Sequence, residues 1–438
     1  MSLCAVSSAR SIRHTMNSVL RKNHSIIASD CLKLIDAIDP IAYAKTRNHL
    51  DGAVTRLSPW ITHGVMTLHE LATILASRYR LPVQHKLIYE LGWRAYFRHV
   101  HSHRPELMTT SMHPGPLADH AYAQQAPAAL IQARTGVPAI DTAVRELYEQ
   151  GYVHNHARMW LASFWVHICR VRWQAGANWM LKHLLDGDMA SNALSWQWVA
   201  GTFSKKPYLF NAENVARFAP KTWWSPGTTI DQDYASIEQI SKGGQLPQWP
   251  DDLEPRCEPI CLAPSSLQHE LLVTYRIKNA YDYLSEEKAK DSALERPKAI
   301  PKPYLIVHPW AIRQTKPIPT DGNWHLLGFI PSDTTSIHWS LNRWRWVLDR
   351  MKETCDDIII GSLQDLYALQ SNASTLHTWH DIHLHDYWPS FVEQHHEAAL
   401  FPTTDRFHAS FSSWWHAISS KKIELHDLLS CDVQSNEG

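Results

Sequence analysis

The chain has 438 residues, 42 Lys+Arg against 43 Asp+Glu, 28 His and a formal charge of -1, with 44% hydrophobic residues. That apolar share excludes a disordered chain, and the length supports two domains that each bury a core without staples. No apolar run approaches the roughly 18 residues of a membrane span, so no membrane partner is expected. The near-zero total hides an asymmetry: residues 1–220 hold 23 Lys+Arg and 14 Asp+Glu, residues 221–438 hold 19 and 29. The basic half suits a polyanion, and the acidic half offers a surface for a protein partner.

Residues 1–23 read as an N-terminal extension, with Arg10, Arg13, Arg21 and Lys22 and no acid. Organellar targeting by this basic stretch is the alternative to the default expectation of a cytoplasmic protein. Seven cysteines without framework spacing fit a reducing compartment. Cys257 and Cys261 form one C-x3-C with no second pair at metal-site spacing, so no metal is expected.

Residues 24–220 read as all-helical. Helical patterns run from Ser25 to Ile38 and from Gln84 to Val100, and Thr67 with Glu70 forms a capping box at the head of a third. Asp141 is expected to cap a helix that ends at Gly151, and Val153 to Trp173 reads as one long buried helix. Residues 221–302 read as a Pro- and Gly-bearing linker with one helix from Leu267 to Leu284. Residues 303–438 read as a smaller α/β domain. Tyr304–His308, Leu326–Ile330 and Asp357–Ile360 are short apolar strands, and Leu341–Lys352 and Leu363–Leu369 are helices, so a small parallel sheet is expected. The fold class is therefore mainly α, a helical domain followed by a smaller α/β one.

No GxGxxG, P-loop, HExxH or GxSxG is present, which removes the common nucleotide-binding, zincin and hydrolase readings. The histidines of His99-x-His101-x-His103 face apart on a helix, His383 and His385 could share a strand face, and His395–His396 completes the set. All are expected to be solvated or satisfied within the core.

The informative stretch is DGDMASNALSWQW at 186–198, together with RLSPW at 56–60, ELGWR at 90–94 and HNHARM at 154–159. In order and spacing these four motifs, spread over residues 40–220, resemble the FAD-binding helical domain of the DNA photolyase and cryptochrome family, and most of all its cyclobutane-dimer photolyases. The resemblance implies FAD held in a helical cavity. It assigns Tyr43, Thr55, Arg56, Leu57 and Ser58 to the phosphate and ribose side, where hydroxyls and helix-start N–H groups suit a diphosphate. It assigns Asn155, Arg158, Asp186 and Asp188 to the flavin and ribose edges, and Asn192 to flavin N5. Val54–Thr55 replaces the family's usual Thr-Ser, which removes one hydroxyl donor.

The resemblance also implies a lesion pocket of Glu90, Trp93, Asn155, Met159 and Trp198, in which two indoles stack an extruded base pair. The implied activity is light-driven repair of cyclobutane pyrimidine dimers in DNA, by electron transfer from reduced FAD to a flipped-out lesion; single-stranded DNA is an attractive substrate. Glu90, Asn192, Trp196 and Trp173 would take part in the chemistry. A cryptochrome-like blue-light photoreceptor without repair is the alternative. Arg94, Arg98, Lys205 and Lys206 are candidates for phosphate contact.

Three departures from the family stand out. Leu130 falls where the third tryptophan of the electron-transfer chain is expected, with Trp160, Trp165 and Trp179 as possible substitutes. His156 replaces an arginine thought to meet DNA phosphate. No antenna-type domain is read ahead of the helical domain, where the family usually carries one, while Ser340–Gly361 looks like part of such a domain with Arg343 near its usual arginine. A permuted antenna-type domain is one expectation and an unrelated α/β module the other; a second chromophore is left unknown.

Overall fold

Thr67 begins its helix as the sequence predicts: its hydroxyl accepts from Glu70 N at 2.9 Å, and the Glu70 carboxylate accepts from Thr67 N at 2.8 Å. The computed structural model describes residues 29–204, 206–243, 247–250, 252–293, 302–313, 324–371, 373–419 and 422–429. The N-terminal extension 1–23 and Lys205 lie outside them. Among the described residues no helix is long and apolar enough to cross a membrane.

The helical half is built from Ser29–Asp36, Pro40–Thr46, Ser58–Thr62, Leu68–Arg78, Lys86–His103, Pro138–Gln150, Asn155–Ser163, Trp173–His183 and Met189–Ala200, with shorter turns between them. Two local readings change. Asp141 is not a helix cap; Pro138 opens that helix, and the Asp141 carboxylate accepts from Thr135 N, Thr135 Oγ1 and Gly136 N in the preceding turn. Gly151 does end the helix, at φ 64°. The segment 153–173 is not one helix. Asn155–Ser163 widens into a π-helical turn at Phe164–Ile168, and Arg170 then sits at φ 50°, where a helix cannot continue.

The sheet half contains β1 (Cys261–Leu262), β2 (Ile277–Asn279), β3 (Tyr304–Val307), β4 (His325–Pro331), β5 (Trp339–Ser340), β6 (Asp357–Gly361), β7 (Leu376–Trp379) and β8 (Val392–His395). Six strands form one all-parallel sheet in the order β2-β6-β4-β3-β7-β8. All four residues of β3 are buried, as a parallel sheet covered on both faces requires. The helix expected from Leu267 to Leu284 is instead His269–Thr274, then β2, then Ala280–Ala293; Arg276 at φ 52° makes the break. His383 and His385 do not share a strand face, because His383 lies in the turn Ile382–Leu384 that follows β7.

The segment read as a linker is divided between two cores. Trp223, Ile230 and Ile237 join the helical core, whereas Leu267 to Leu284 belong to the sheet core. The chain then returns: Leu400, Phe401, Trp414, Trp415, Leu425 and Leu428 pack back into the helical core. Helix Phe411–Ser419 lies against Lys86–His103 where Gly92 leaves room, since a Cβ there would stand 2.3 Å from the Trp415 ring.

Arg343, read as standing near the usual arginine of an antenna-type domain, is 1% exposed. Its guanidinium lies 4.1 Å from the Trp339 ring centroid and donates to Leu181 O and Gly187 O of the helical half. Burying a guanidinium is costly unless its donors are met, and these two carbonyls meet Nη1 and Nη2 while Nε has no protein partner.

Candidate flavin site

Asp186 organises the site. Arg158, in the first turns of Asn155–Ser163, donates Nη2 to both Asp186 oxygens at 2.9 and 2.8 Å. Ser58, at the start of Ser58–Thr62, adds a 2.6 Å bond to Oδ2, and Thr62 Oγ1 donates to Asp186 O. Burial works against the charge, but Arg158 and Ser58 together hold the carboxyl below the usual carboxylate range. Arg158 Nε also donates to Val153 O at 2.7 Å, which fixes the fork.

Beside this pair lies Tyr152, with the Arg56 and Arg158 guanidinia 5.2 and 5.5 Å from its ring centroid. Arg56 is exposed in a left-handed turn, φ 53°, just before Ser58–Thr62. Leu57 at the helix start is fully buried, and the half-buried Thr55 hydroxyl accepts from its N–H at 3.4 Å. Tyr43 sits among Glu90, Arg47 and Tyr152, and burial pushes its phenol well above the usual range. Arg56, a helix start and several hydroxyls in one place form a donor set suited to a diphosphate.

Asn192 lies in Met189–Ala200 and donates Nδ2 to Ala177 O at 2.9 Å, which orients the neutral amide. The buried hydroxyl of its neighbour Ser191 has no protein partner. Asp188 has both oxygens engaged within the protein. Oδ1 caps that helix through Ser191 N at 2.8 Å, while Oδ2 accepts from Arg94 at 3.3 Å and Arg98 at 3.1 Å. Burial opposes its ionisation and the two arginines prevail, so the carboxyl is held far below its usual range. Arg94 and Arg98 are therefore paired inward and are not a free phosphate-binding surface; Arg98 also reaches Asp381 at 3.1 Å. Lys206 is exposed.

The five proposed lesion residues have distinct surroundings. Glu90 is half-buried and paired with Arg47 at 3.2 Å. Asn155 is exposed, with its amide nitrogen 4.0 Å from the Met159 sulfur. Trp198 is half-buried, 5.8 Å from Tyr208 between ring centroids. Trp93 stacks on Phe411 at 4.0 Å and 11°. His156 is 8% exposed, packed against Phe218 and Trp160, and burial lowers its pKa, so it offers no cation to a backbone phosphate.

Trp196 is 2% exposed and makes its ring contact with Trp165, at 5.8 Å and edge-on. Trp165 stacks on Trp179 at 5.2 Å, and Trp179 meets Tyr148 at 6.0 Å. Trp173 instead donates to Ser111 Oγ, Leu130 is fully buried in the core, and Trp160 bonds Asn214. Arg47, Tyr152 and Tyr148 were not singled out in the sequence; only the nearness of Tyr152 to the HNHARM motif marked any of them.

These elements define a helical flavin-binding domain. Residues 87–224 match the family model described as FAD binding domain of DNA photolyase. Among curated proteins, the deoxyribodipyrimidine photo-lyase of Streptomyces griseus is 35% identical over 155 residues, covering 34% of this chain and 32% of that protein. The enzyme of the same name from Escherichia coli is 37% identical over 178 residues, covering 36% and 37%. Among solved structures, an archaeal photolyase from Sulfolobus tokodaii with two FAD molecules is 24% identical, covering 50% of this chain and 51% of that one at a TM-score of 0.39. Through this region the chain is similar to the FAD-binding domain of DNA photolyases. It spans about a third of the length of the curated relatives it matches.

Proposed function

We propose that the chain binds FAD and uses light to split cyclobutane pyrimidine dimers in DNA. The observation that carries this reading is the Asp186–Arg158–Ser58 network, with Arg56, Tyr43 and Tyr152 beside it and Asn192 on the helix that follows Asp188. That donor set fits the cofactor. Arg56 and the start of Ser58–Thr62 would hold the diphosphate, Arg158 and Asp186 the ring edge, and the Asn192 amide the central ring nitrogen.

Bound FAD supplies a photo-excitable electron donor. The protein's own groups then bind and orient. Trp93 and Trp198 present indole faces to an extruded base pair, and such stacking contributes about 1–3 kcal/mol per base. Glu90 offers its carboxylate to a thymine N–H, with Arg47 as its counter-ion, and the neighbouring Asn155 and Met159 would border the lesion. Unpaired bases are cheaper to extrude, which favours single-stranded DNA. Illuminating reduced protein with dimer-containing oligothymidine tests the reading: restored thymine absorbance, lost in Glu90→Ala or Trp93→Ala, supports it, and no repair by flavin-loaded protein overturns it.

A second reading, a blue-light photoreceptor without repair, is favoured by one observation. Phe411 covers one face of Trp93, which leaves that face closed to a stacked base.

A further inference from the structure

Away from the flavin site, the last two strands of the sheet bring together three side chains capable of binding a metal. β7 and β8 run parallel, with His377 opposite Glu393 and Trp379 opposite His395. Side chains alternate along a strand, so Glu393 and His395 share the face on which His377 stands. His377 Nδ1 lies 3.0 Å from His395 Nε2 and 3.3 Å from Glu393 Oε2, and His395 Nε2 lies 3.5 Å from Glu393 Oε1. The two imidazoles approach different oxygens of the one carboxylate, and one ligand atom from each residue lies within 4.8 Å of the other two.

These separations are informative. Nitrogen and oxygen ligands about 2.0–2.1 Å from a tetrahedral zinc ion stand about 3.3 Å from one another. The imidazole nitrogens, 3.0 Å apart, and a carboxylate with an oxygen within 3.5 Å of each stand near that spacing. The other nitrogen of His377, Nε2, is 2.9 Å from Thr375 Oγ1, an outer contact that sets the ring's orientation and leaves Nδ1 for the site. Trp324 and Trp379 flank the imidazoles, with ring centroids 4.9 Å from His377 and 6.2 Å from His395. His377 is buried and Glu393 exposed, so the carboxylate marks the solvent side, where water can complete the shell.

We propose that His377, Glu393 and His395 bind one divalent transition-metal ion of the zinc class. Two imidazoles and one carboxylate suit zinc and its neighbours, whereas calcium and magnesium prefer sites made wholly of oxygen. The ion would clasp the edge strand β8 to β7. The set is hidden in the sequence because 15 residues separate the end of the first ligand from the start of Glu393-x-His395.

The test uses the full chain, stripped with chelator and titrated with zinc. Expected are one zinc per chain by elemental analysis, a higher melting temperature with zinc, and the visible absorption of tetrahedral cobalt when cobalt replaces it. Glu393→Gln changes an exposed side chain and should fold normally; zinc affinity should fall at least about tenfold, as loss of a ligand or its support does. In His377→Ala/His395→Ala the cobalt signal and the zinc-dependent melting shift should vanish. Equal zinc affinity in wild type and the double variant, or no zinc retained by wild type, overturns the site and leaves a hydrogen-bonded histidine pair. None of these readouts involves flavin or DNA.

Discussion

Arg343 donates to Gly187 O at 2.9 Å, although the two residues lie in different halves of the chain. The same guanidinium reaches Leu181 O at 2.8 Å, and burial lowers its pKa to about 9. The carbonyl of Gly187 stands between Asp186 and Asp188, so the sheet half directly fixes the loop that carries the flavin-site carboxylates. Arg343→Met should fill much of the volume yet leave one buried and one part-buried carbonyl unpaired, a loss of about 3 kcal/mol. Urea unfolding would measure it, and an unchanged midpoint would refute the role assigned to this contact.

Burial also sets a pH dependence. His308 is fully buried; Nε2–H donates to Trp379 O at 2.8 Å and Nδ1 accepts from Trp310 N at 3.3 Å, the pattern of a neutral ring. Burial lowers its pKa to about 4, below the value of roughly 6.5 in an unfolded chain. Protons therefore bind the unfolded chain first as pH falls. The stability from keeping this ring neutral is fully present above about pH 6.5 and is lost progressively down to about pH 4, on the order of 3 kcal/mol in all. His167, also buried and lowered to about 4, adds to the same slope. Urea midpoints at successive pH values should fall across that window, and a flat profile would contradict the assignment.

Gly176 is required by the tryptophan packing around it. A Cβ there would stand 2.3 Å from the Trp196 ring and 2.9 Å from Trp165. Gly176→Ala gains helix propensity of up to about 1 kcal/mol but must displace rigid indoles, at a cost of typically 1–3 kcal/mol. The balance is expected to be destabilising, with an altered near-ultraviolet circular dichroism band. A variant more stable than wild type, with an unchanged band, would show that the rings yield freely.

Phe411 separates the two functional readings. Phe411→Leu would uncover part of the Trp93 face while keeping an apolar side chain in the packing. If lesion stacking uses that face, dimer-containing oligothymidine should bind several-fold more tightly, and undamaged oligothymidine should bind as before. Equal affinities in variant and wild type would mean that the covered face takes no part in binding.

The sequence revealed those strands that carry an unbroken apolar run. β3 is buried throughout, and β4 and β6 contain Leu326–Ile330 and Ile358–Ile360. β7 and β8, with His377, Thr378, Glu393 and Gln394 among their few residues, carry no such run. The breaks at Arg170 and Arg276 went unseen because arginine is a good helix former; only the left-handed backbone shows the interruption. The flavin-site residues were legible because they cluster in four short motifs. The partners of Arg94 and Arg98 were not, since Asp381 lies 283 positions from Arg98 and charge alone does not reveal an inward pairing.

That pairing closes on itself. Asp188 holds Arg98, Arg98 holds Asp381, Asp381 holds the His383 ring, and His383 Nε2 accepts the N–H of Met189, the residue next to Asp188. Bonds joined in a ring share any strain placed on one of them, and opening a single link leaves the ends still tethered through the others. The oppositely charged halves of the chain are thereby latched at the base of the flavin-site loop, so separating them and loosening that loop become one event.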